Sequence, residues 1–486
     1  MAAASFALGL HAQSSFVVSP RAIEGEEIML LGEKMSENRK FVVGESQAFN
    51  TPAIWNTETN EVQMFVFPDS TWVEDPEQPY YEYMLKTGSF HSVNNNGAAV
   101  GSLTTADFVT HPILAYAGNG TEYITLYEDP SDVSAEAYDI SEDGNTIVGF
   151  HFDAAWITHA CVWSGDGATR IDLPFPTEEE LGFAIDYVGA RWISADGSVI
   201  LGYAQDFYTG AWVAVTWRLK EGQYVVEPIA NNYFQTTYFD EEGNWVVPGE
   251  NPYVEFEPVA LSANGEWVSL SVVELYDPTD WDYTPVVYAA RMNILTGAFE
   301  MLALEEEYNE LLMFGIADNG RCAGRFSGLL DPMTWDQEVS AVVWYEGSNV
   351  LTRLMEFYPT DPYFSTTVAS SLSCISADGE YVMGYAADQD TNETSFYVSL
   401  DLTSCVEQGN TEINVFPNPA AAQINVVAEN EINTISVINM MGQVVFTQEV
   451  NAIQTSINAQ ELPAGVYFLD IVSGNSHSVK RVSVVK

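Results

Sequence analysis

The sequence predicts an all-β chain, a seven-bladed β-propeller followed by a small C-terminal β-sandwich. Three observations predict it. One turn-forming phrase recurs seven times at a mean spacing of about 57 residues. A short apolar run, mostly ending in Trp, follows most copies. Period-two alternation dominates the chain and helix-period patterning is scarce.

The phrase reads apolar–Ser–x–Asp–Gly and closes on a second Gly. Its clear copies are Ile140–Gly149, Ile193–Gly202 and Ile375–Gly384; weaker ones begin at Val93, Leu261 and Ile316. The most eroded begins at Met35, with Arg39 where Gly belongs and Gly44 closing it. Asp-Gly or Asn-Gly predicts a two-residue hairpin turn with positive φ at both residues. The closing Gly predicts a crowded approach of strands. Third strands follow at Ala53–Trp55, Ala160–Trp163, Ala214–Trp217 and Ala341–Trp344, with softer versions at Pro112–Tyr116 and Ser395–Val398. Arg170–Leu173 illustrates a fourth strand. Units of about 57 residues bury too little to fold alone, so a propeller is preferred to separate sandwiches. The last repeat is one strand short, and Phe16–Leu31 can supply that strand and clasp the ring.

The phrase Ser-x-Asp-Gly, its Val/Ile-x-Gly closure and the Ala-x-x-Trp strand resemble the HAF-type extracellular repeat over residues 16–405. That resemblance implies a propeller and is nearly silent on function. The Asp-box of sialidases differs, since it spaces Asp and Gly by one residue.

Residues 406–411 form a polar linker, and 412–486 alternate as a small β-sandwich should. Within this module Pro417-Asn418-Pro419, Gly442-Gln443-Val444-Val445, Leu462-Pro463-Ala464-Gly465-Val466-Tyr467 and the basic last strand with Lys480 and Arg481 follow one another in order. They resemble the type A C-terminal sorting domain of the type IX secretion system of Bacteroidota. The resemblance implies passage through the periplasm of a Gram-negative cell and export across the outer membrane. It also implies two partners, the translocon and a surface sortase, and a product that is secreted or anchored at the outer surface. Residues 1–12 fit this route as the remnant of a secretory signal peptide, with Leu10-His11-Ala12 as the cleavage site.

The chain has 486 residues, 69 acidic and 16 basic, for a net charge of −53. From residue 410 onward six acids face three bases, so nearly all the charge lies on the propeller side. A surface so acidic repels phosphate backbones and anionic membranes, which excludes nucleic acid as a partner. An apolar content of 47% supplies a core and argues against disorder. No stretch reaches the roughly 20 apolar residues of a membrane span.

Candidate chemistry is sparse. Cys374 and Cys405 bracket the last repeat and are a possible disulfide in an exported chain. Cys161 and Cys322 fall in separate repeats and read as buried thiols. No cofactor is expected. Ca²⁺ is the one metal with candidates, Asp277, Asp280 and Asp282, but the Asp-x-Asp-x-Asp-Gly spacing is absent. The preferred reading of these acids, and of Asp153 beside Trp156, is a turn residue with its aromatic packed on the blade. His151 and His159 read as structural, and the propeller's arginines are scattered. No catalytic residue is assigned. The expectation is a non-catalytic module binding a glycan or protein, with a polysaccharide-degrading hydrolase or lyase and a structural surface component as alternatives. An enzyme predicts converging carboxylates or a His-Tyr-Arg cluster in one mouth of the propeller. A binder predicts aromatics there without perturbed carboxylates.

Overall fold

The computed structural model describes residues 16–484, apart from 24–25, 28–29, 47–49, 66–71, 75–81, 85, 178–184, 207–211, 230–237, 240–244, 247–252, 275–285, 303–307, 329–337, 349–350, 359–366, 389–392, 401–412, 417–419, 421, 440–443, 464 and 474–475. The chain divides into two compact units, Met1–Val398 and Ser399–Lys486.

The first unit is built from antiparallel quartets of strands, one per repeat; single parallel pairings, Val213↔Phe256 and Val287↔Glu310, link the fourth, fifth and sixth into one sheet. The first quartet is Leu30–Met35, Phe41–Ser46, Thr51–Asn56 and Glu61–Met64. The second is Thr87–Val93, Ala98–Thr104, Thr110–Tyr116 and Tyr123–Thr125. The third is Ser134–Ile140, Thr146–Phe152, Thr158–Ser164 and Arg170–Asp172. The fourth is Ile185–Ile193, Val199–Asp206, Trp212–Lys220 and Gln223–Pro228. The fifth is Tyr253–Leu261, Trp267–Glu274, Val287–Asn293 and Phe299–Met301. The sixth is Tyr308–Ile316, Cys322–Gly328, Val339–Trp344 and Leu351–Arg353. In the last, Thr367–Ile375, Tyr381–Asp388 and Glu393–Ser399 are completed by Val17–Val18 from the start of the chain, in register Val17↔Tyr397 and Val18↔Phe396. The expected clasp is there.

The turns differ from expectation in one respect. Gly144, Gly197 and Gly379 have φ of +74°, +73° and +74°, but the Asp before each keeps an ordinary negative φ. Instead the Asp works through its side chain. Asp196 Oδ1 accepts from Ser194 Oγ at 2.7 Å and from Ser198 N at 2.9 Å, and Val199 N donates back to Ser194 Oγ at 3.0 Å. The loop is a longer one, closed from Gly197 N to Ser194 O, in which only the last residue must be left-handed. Arg39 takes that position in the first quartet with φ 63°.

Each turn also donates to the next. Asn38 N reaches Asn95 Oδ1, Asn95 N reaches Glu142 Oε1, Glu142 N reaches Ala195 O, and Ala195 N reaches Ala263 O. Asn264 N then reaches Asp318 Oδ1, Asp318 N reaches Ala377 O, and Ala377 N returns to Glu37 Oε2. Where the second turn residue is Glu, Asp or Asn its side chain accepts; where it is Ala the backbone carbonyl does.

Packing lies between neighbouring quartets. The repeat tryptophans Trp55, Trp163, Trp217 and Trp344 are fully buried. Trp163 packs with Val100 and Leu114 of the preceding quartet and donates its indole N–H to Tyr127 O at 2.8 Å. Burying so large a ring with its N–H satisfied is among the larger single contributions a side chain makes.

In the second unit, where the sequence predicts two packed sheets, the strands form one five-stranded sheet. One edge of the long strand Gln423–Asn439 carries Val444–Asn458; the other carries Ile413–Phe416 and then Gly465–Ser473, which pairs with Ser476–Val484. Register shifts between Val427 and Thr434 interrupt the long pairing, and both halves of the strand feed one core through Ile424, Val426, Ile435 and Val437. Bulges bend a sheet, so one sheet can enclose a core that two would otherwise share.

Ser395 joins the end of the first unit to its beginning. Its buried Oγ accepts from Gly32 N at 2.7 Å and donates to Leu30 O at 2.8 Å. Ser395→Ala leaves both backbone groups unpaired and should cost about 1–3 kcal/mol in denaturant unfolding. A loss under about 0.5 kcal/mol would show that the clasp does not depend on this bond.

Candidate functional site

The first strand of every quartet breaks register a few residues before its turn, and those of the last four quartets break once more near their start. The shifts before the turns fall at Gly32/Lys34, Phe90/Ser92, Ala137/Asp139, Ala190/Trp192, Pro258/Ala260, Leu312/Gly315 and Leu372/Cys374. These are β-bulges, which leave a residue unpaired and re-aim its side chain. Facing the bulge on the second strand is the phrase's closing Gly. A Cβ on Gly44, Gly101, Gly149, Gly202, Gly324 or Gly384 would meet a first-strand carbonyl oxygen at 1.9–2.0 Å. In the fifth quartet Pro258 opens the bulge and pairs with Leu270.

The residues left unpaired at these places, three ahead of each turn, are Glu33, His91, Tyr138, Arg191, Val259, Phe314 (with Met313 beside it) and Ser373. Of the seven at that offset, all but Val259 line one cavity of about 510 Å³. The layer is polar where it comes from the first four quartets.

Glu33 Oε2 lies 2.7 Å from His91 Nδ1, and Ser89 Oγ donates to Glu33 Oε1 at 2.8 Å. Burial pulls His91 down, but the Glu33 carboxylate outweighs it and the imidazole is raised above its ordinary value. Burial pushes Glu33 up, and His91, Ser89 and Arg191 together bring it below its ordinary value. His91 stacks on Tyr138, centroids 4.9 Å apart at 19°. Tyr138 donates its hydroxyl to Glu136 Oε2 at 2.6 Å, and burial and that carboxylate push the phenol up. The Arg191 guanidinium lies 4.7 Å above the Tyr138 ring and 5.6 Å above Tyr203. Nearby Glu257 is raised by burial against the pull of Arg191.

One residue further along the strands, Lys34 Nζ sits 2.6 Å from Asp139 Oδ1. Buried Asp139 also accepts from Ser92 Oγ at 2.5 Å and from Ile193 N at 3.0 Å, tying four quartets together. Next come the turn carboxylates Glu37 and Glu142, both raised by burial.

Aromatic rings run from this cavity to an exposed loop. Tyr138 stacks on Phe150 at 5.6 Å, Phe150 meets Tyr187 at 6.0 Å, Tyr187 meets Phe152 at 6.3 Å, and Phe152 meets Trp156 at 6.0 Å. Tyr187 and Tyr203 stack at 5.6 Å with Trp212 edge-on to both.

The predicted residues fare unevenly. Asp277, Asp280 and Asp282 lie outside the described residues, as do Cys405, Pro417, Asn418, Pro419 and Gly442. Cys374 carries a free thiol, pushed up to about 12 by burial, and lines the cavity; Cys161 and Cys322 are buried. Leu462 and Tyr467 are buried in the sorting module, and Tyr467 donates to Pro463 O at 2.9 Å. Gly465 opens a strand that pairs Lys480 with Leu469 and Arg481 with Phe468. Asp153 is a turn residue accepting from Ala155 N and Ile157 N, as expected. Its aromatic is not packed down: Trp156, at a φ of 63°, is 68% exposed. Phe108, 74% exposed at φ 61°, matches it one quartet earlier. His151 is buried between Asp132 at 2.9 Å and Asp172 at 3.0 Å, a structural setting in which burial and Arg170 lower its pKa. Sequence reading missed the bulge layer. Its signal is a fixed offset from the turn at which every copy carries a different residue.

Residues 414–485 match the secretion system C-terminal sorting domain family, so the chain carries a type IX export signal and is secreted to the cell surface or beyond. Among curated proteins none matches the chain. Similar solved structures include oligogalacturonate lyase from Vibrio parahaemolyticus (9% identity, 79% of this chain and 91% of that one, TM-score 0.45). Hydrazine synthase of Kuenenia stuttgartiensis is also similar (11%, 77% and 98%, TM-score 0.41). A third is the β-propeller domain of the trilobed protease of Pyrococcus furiosus (10%, 76% and 94%, TM-score 0.35). Among the described residues no helix is long and apolar enough to cross a membrane.

The Glu33–His91 pair has a defined pH signature. His91, raised, contributes stability fully present below its ordinary 6.5 and lost as pH rises through its folded value. Glu33, lowered, contributes stability present above its ordinary 4.5 and lost as pH falls through its folded value. The pair therefore stabilises most between pH 4.5 and 6.5. Glu33→Gln should drop the His91 pKa, read by NMR of histidine-labelled protein, below 6.5 because burial then dominates. An unmoved His91 titration would dissolve the pair.

Proposed function

We propose that this protein is a seven-bladed β-propeller exported by the type IX system, and that its axial cavity and the aromatic face of blades three and four bind a glycan outside the cell. The clasp of Val17–Val18 and the cycle of turn hydrogen bonds support the closed seven-bladed reading. The observation that carries the binding reading is the run of rings from Trp156 to the cavity wall at Tyr138. Sugars present flat C–H faces that stack on aromatic planes, and their hydroxyls take hydrogen bonds from the few polar groups of such a pocket. A volume of about 510 Å³ lies within the roughly 300–1,000 Å³ of small-ligand sites. The translocon and the surface sortase are the partners of the tail, with cleavage in residues 405–411.

A second reading has its own observation. His91, Tyr138 and Arg191 meet in one cavity beside carboxylates shifted in opposite directions, Glu33 down and Glu257 up, which favours a polysaccharide hydrolase or lyase. Binding stands first because Glu33 and His91 satisfy one another and the Tyr138 hydroxyl is spent on Glu136.

Trp156→Ala, at an exposed site, should leave folding intact and weaken glycan binding roughly tenfold in calorimetry. Unchanged affinity removes the aromatic track from the site, and release of new reducing ends from the bound glycan promotes the second reading. Deleting Ser478–Lys486 should hold the protein in the periplasm; undiminished secretion contradicts the export route.

A further inference from the structure

We infer that the cavity takes its glycan by a single carboxylate, a uronic-acid unit on an otherwise neutral chain, and that Arg191 is the group that holds it. This rests on the reading of the cavity as a glycan site. Six other arginines of the first unit are each paired with a carboxylate. Arg170 pairs with Asp132, Arg218 with Glu227, Arg291 with Glu300, Arg321 with Glu346, Arg325 with Glu310 and Arg353 with Glu338, all at 2.5–3.3 Å. Arg191 has no carboxylate within 4.0 Å among the described residues, and it lines the cavity. The carboxylates nearest it are engaged elsewhere or act from a distance: Glu33 bonds to His91 and Ser89, Glu136 takes the Tyr138 hydroxyl, and Glu257, raised by burial, feels the pull of Arg191 without pairing to it.

The guanidinium is also oriented. Tyr138 and Tyr203 flank it, their ring centroids 4.7 and 5.6 Å from its carbon, and the Tyr138 hydroxyl is a hydrogen-bond partner for one of its N–H donors. A guanidinium edge matches a carboxylate bidentately. Aromatic stacking surfaces beside it favour a sugar over an acidic peptide. The net charge of −53 sets the upper limit on how many carboxylates the ligand carries. At physiological salt the field of distant acids is screened within about 8 Å, so one carboxylate at Arg191 feels mainly its partner, whereas a polyanion lying along the surface meets the repulsion throughout.

The test uses the full chain and a glycan array of matched pairs, each neutral oligosaccharide beside the same chain bearing one uronic acid. The acidic member should bind roughly ten- to a hundredfold tighter. Carboxyl reduction should abolish the difference, as should Arg191→Gln, while Arg191→Lys should keep part of it. Polygalacturonate should bind more weakly than the singly acidic chains. Matched pairs that bind alike, or a difference that survives in Arg191→Gln, overturn the carboxylate assignment and leave the cavity as a neutral-glycan site. Tighter capture of glutamate-ended peptides than of any glycan overturns the sugar. Binding of no glycan at all brings down the underlying reading. Unfolding of Arg191→Gln is measured alongside: loss of stability with an unchanged acidic-to-neutral ratio shows a strut between blades and refutes the inference.

Discussion

The missing side chain at the closing Gly is the constraint on which the rest of the first unit depends. With a Cβ, Gly149 would stand 2.0 Å from Glu136 O, and Gly202 the same distance from Gly189 O. Those carbonyls belong to the residues just ahead of each bulge. Glycine lets the first strand lean in, the lean permits the bulge, and the bulge delivers one side chain to the cavity. Flatten it and the strand slips by one, which sends every later side chain to the other face. A packing residue on the second strand thus places the cavity-lining residue on the first.

Closure is the second dependency. Outer pairing closes through Val17–Val18, and the turns close through a cycle in which each backbone N–H is accepted by the next turn. The cycle bears a cost at Glu37, Glu142 and Asp318, whose carboxylates are buried enough to be raised. Three copies use Ala at that position and avoid it by accepting through the main chain. The mixture is what a repeat tolerates when only one acceptor per turn is needed.

Charge is organised in the same local way. Six arginines are each spent on a carboxylate, and Arg291, 1% exposed, adds bonds to Gly320 O and Tyr345 O while lying 4.1 Å above Trp344. Pairing of this kind lets a chain of net charge −53 bury cations without stranding them. Arg191 differs from these six in having an aromatic setting and no such ion pair among the described residues.

Contiguous residues carry their own structural information, and that much was legible in the sequence. Ser194, Asp196 and Gly197 form their turn from bonds within five residues, Ala-x-x-Trp marks a buried third strand, and the tail's motifs stand in a diagnostic order. Even locally a limit shows: Asp-Gly suggested a two-residue turn, and the Ser hydroxyl, by offering the Asp a partner, selected a longer one. Tertiary structure alone decided the site. Glu33, His91, Tyr138 and Arg191 are about fifty residues apart and differ in kind from copy to copy, so comparison of repeats sets them aside as variation. Only pairing shows them unpaired, and only closure brings neighbouring repeats side by side, because a bulge is a relation between two strands and a cavity a relation among all of them.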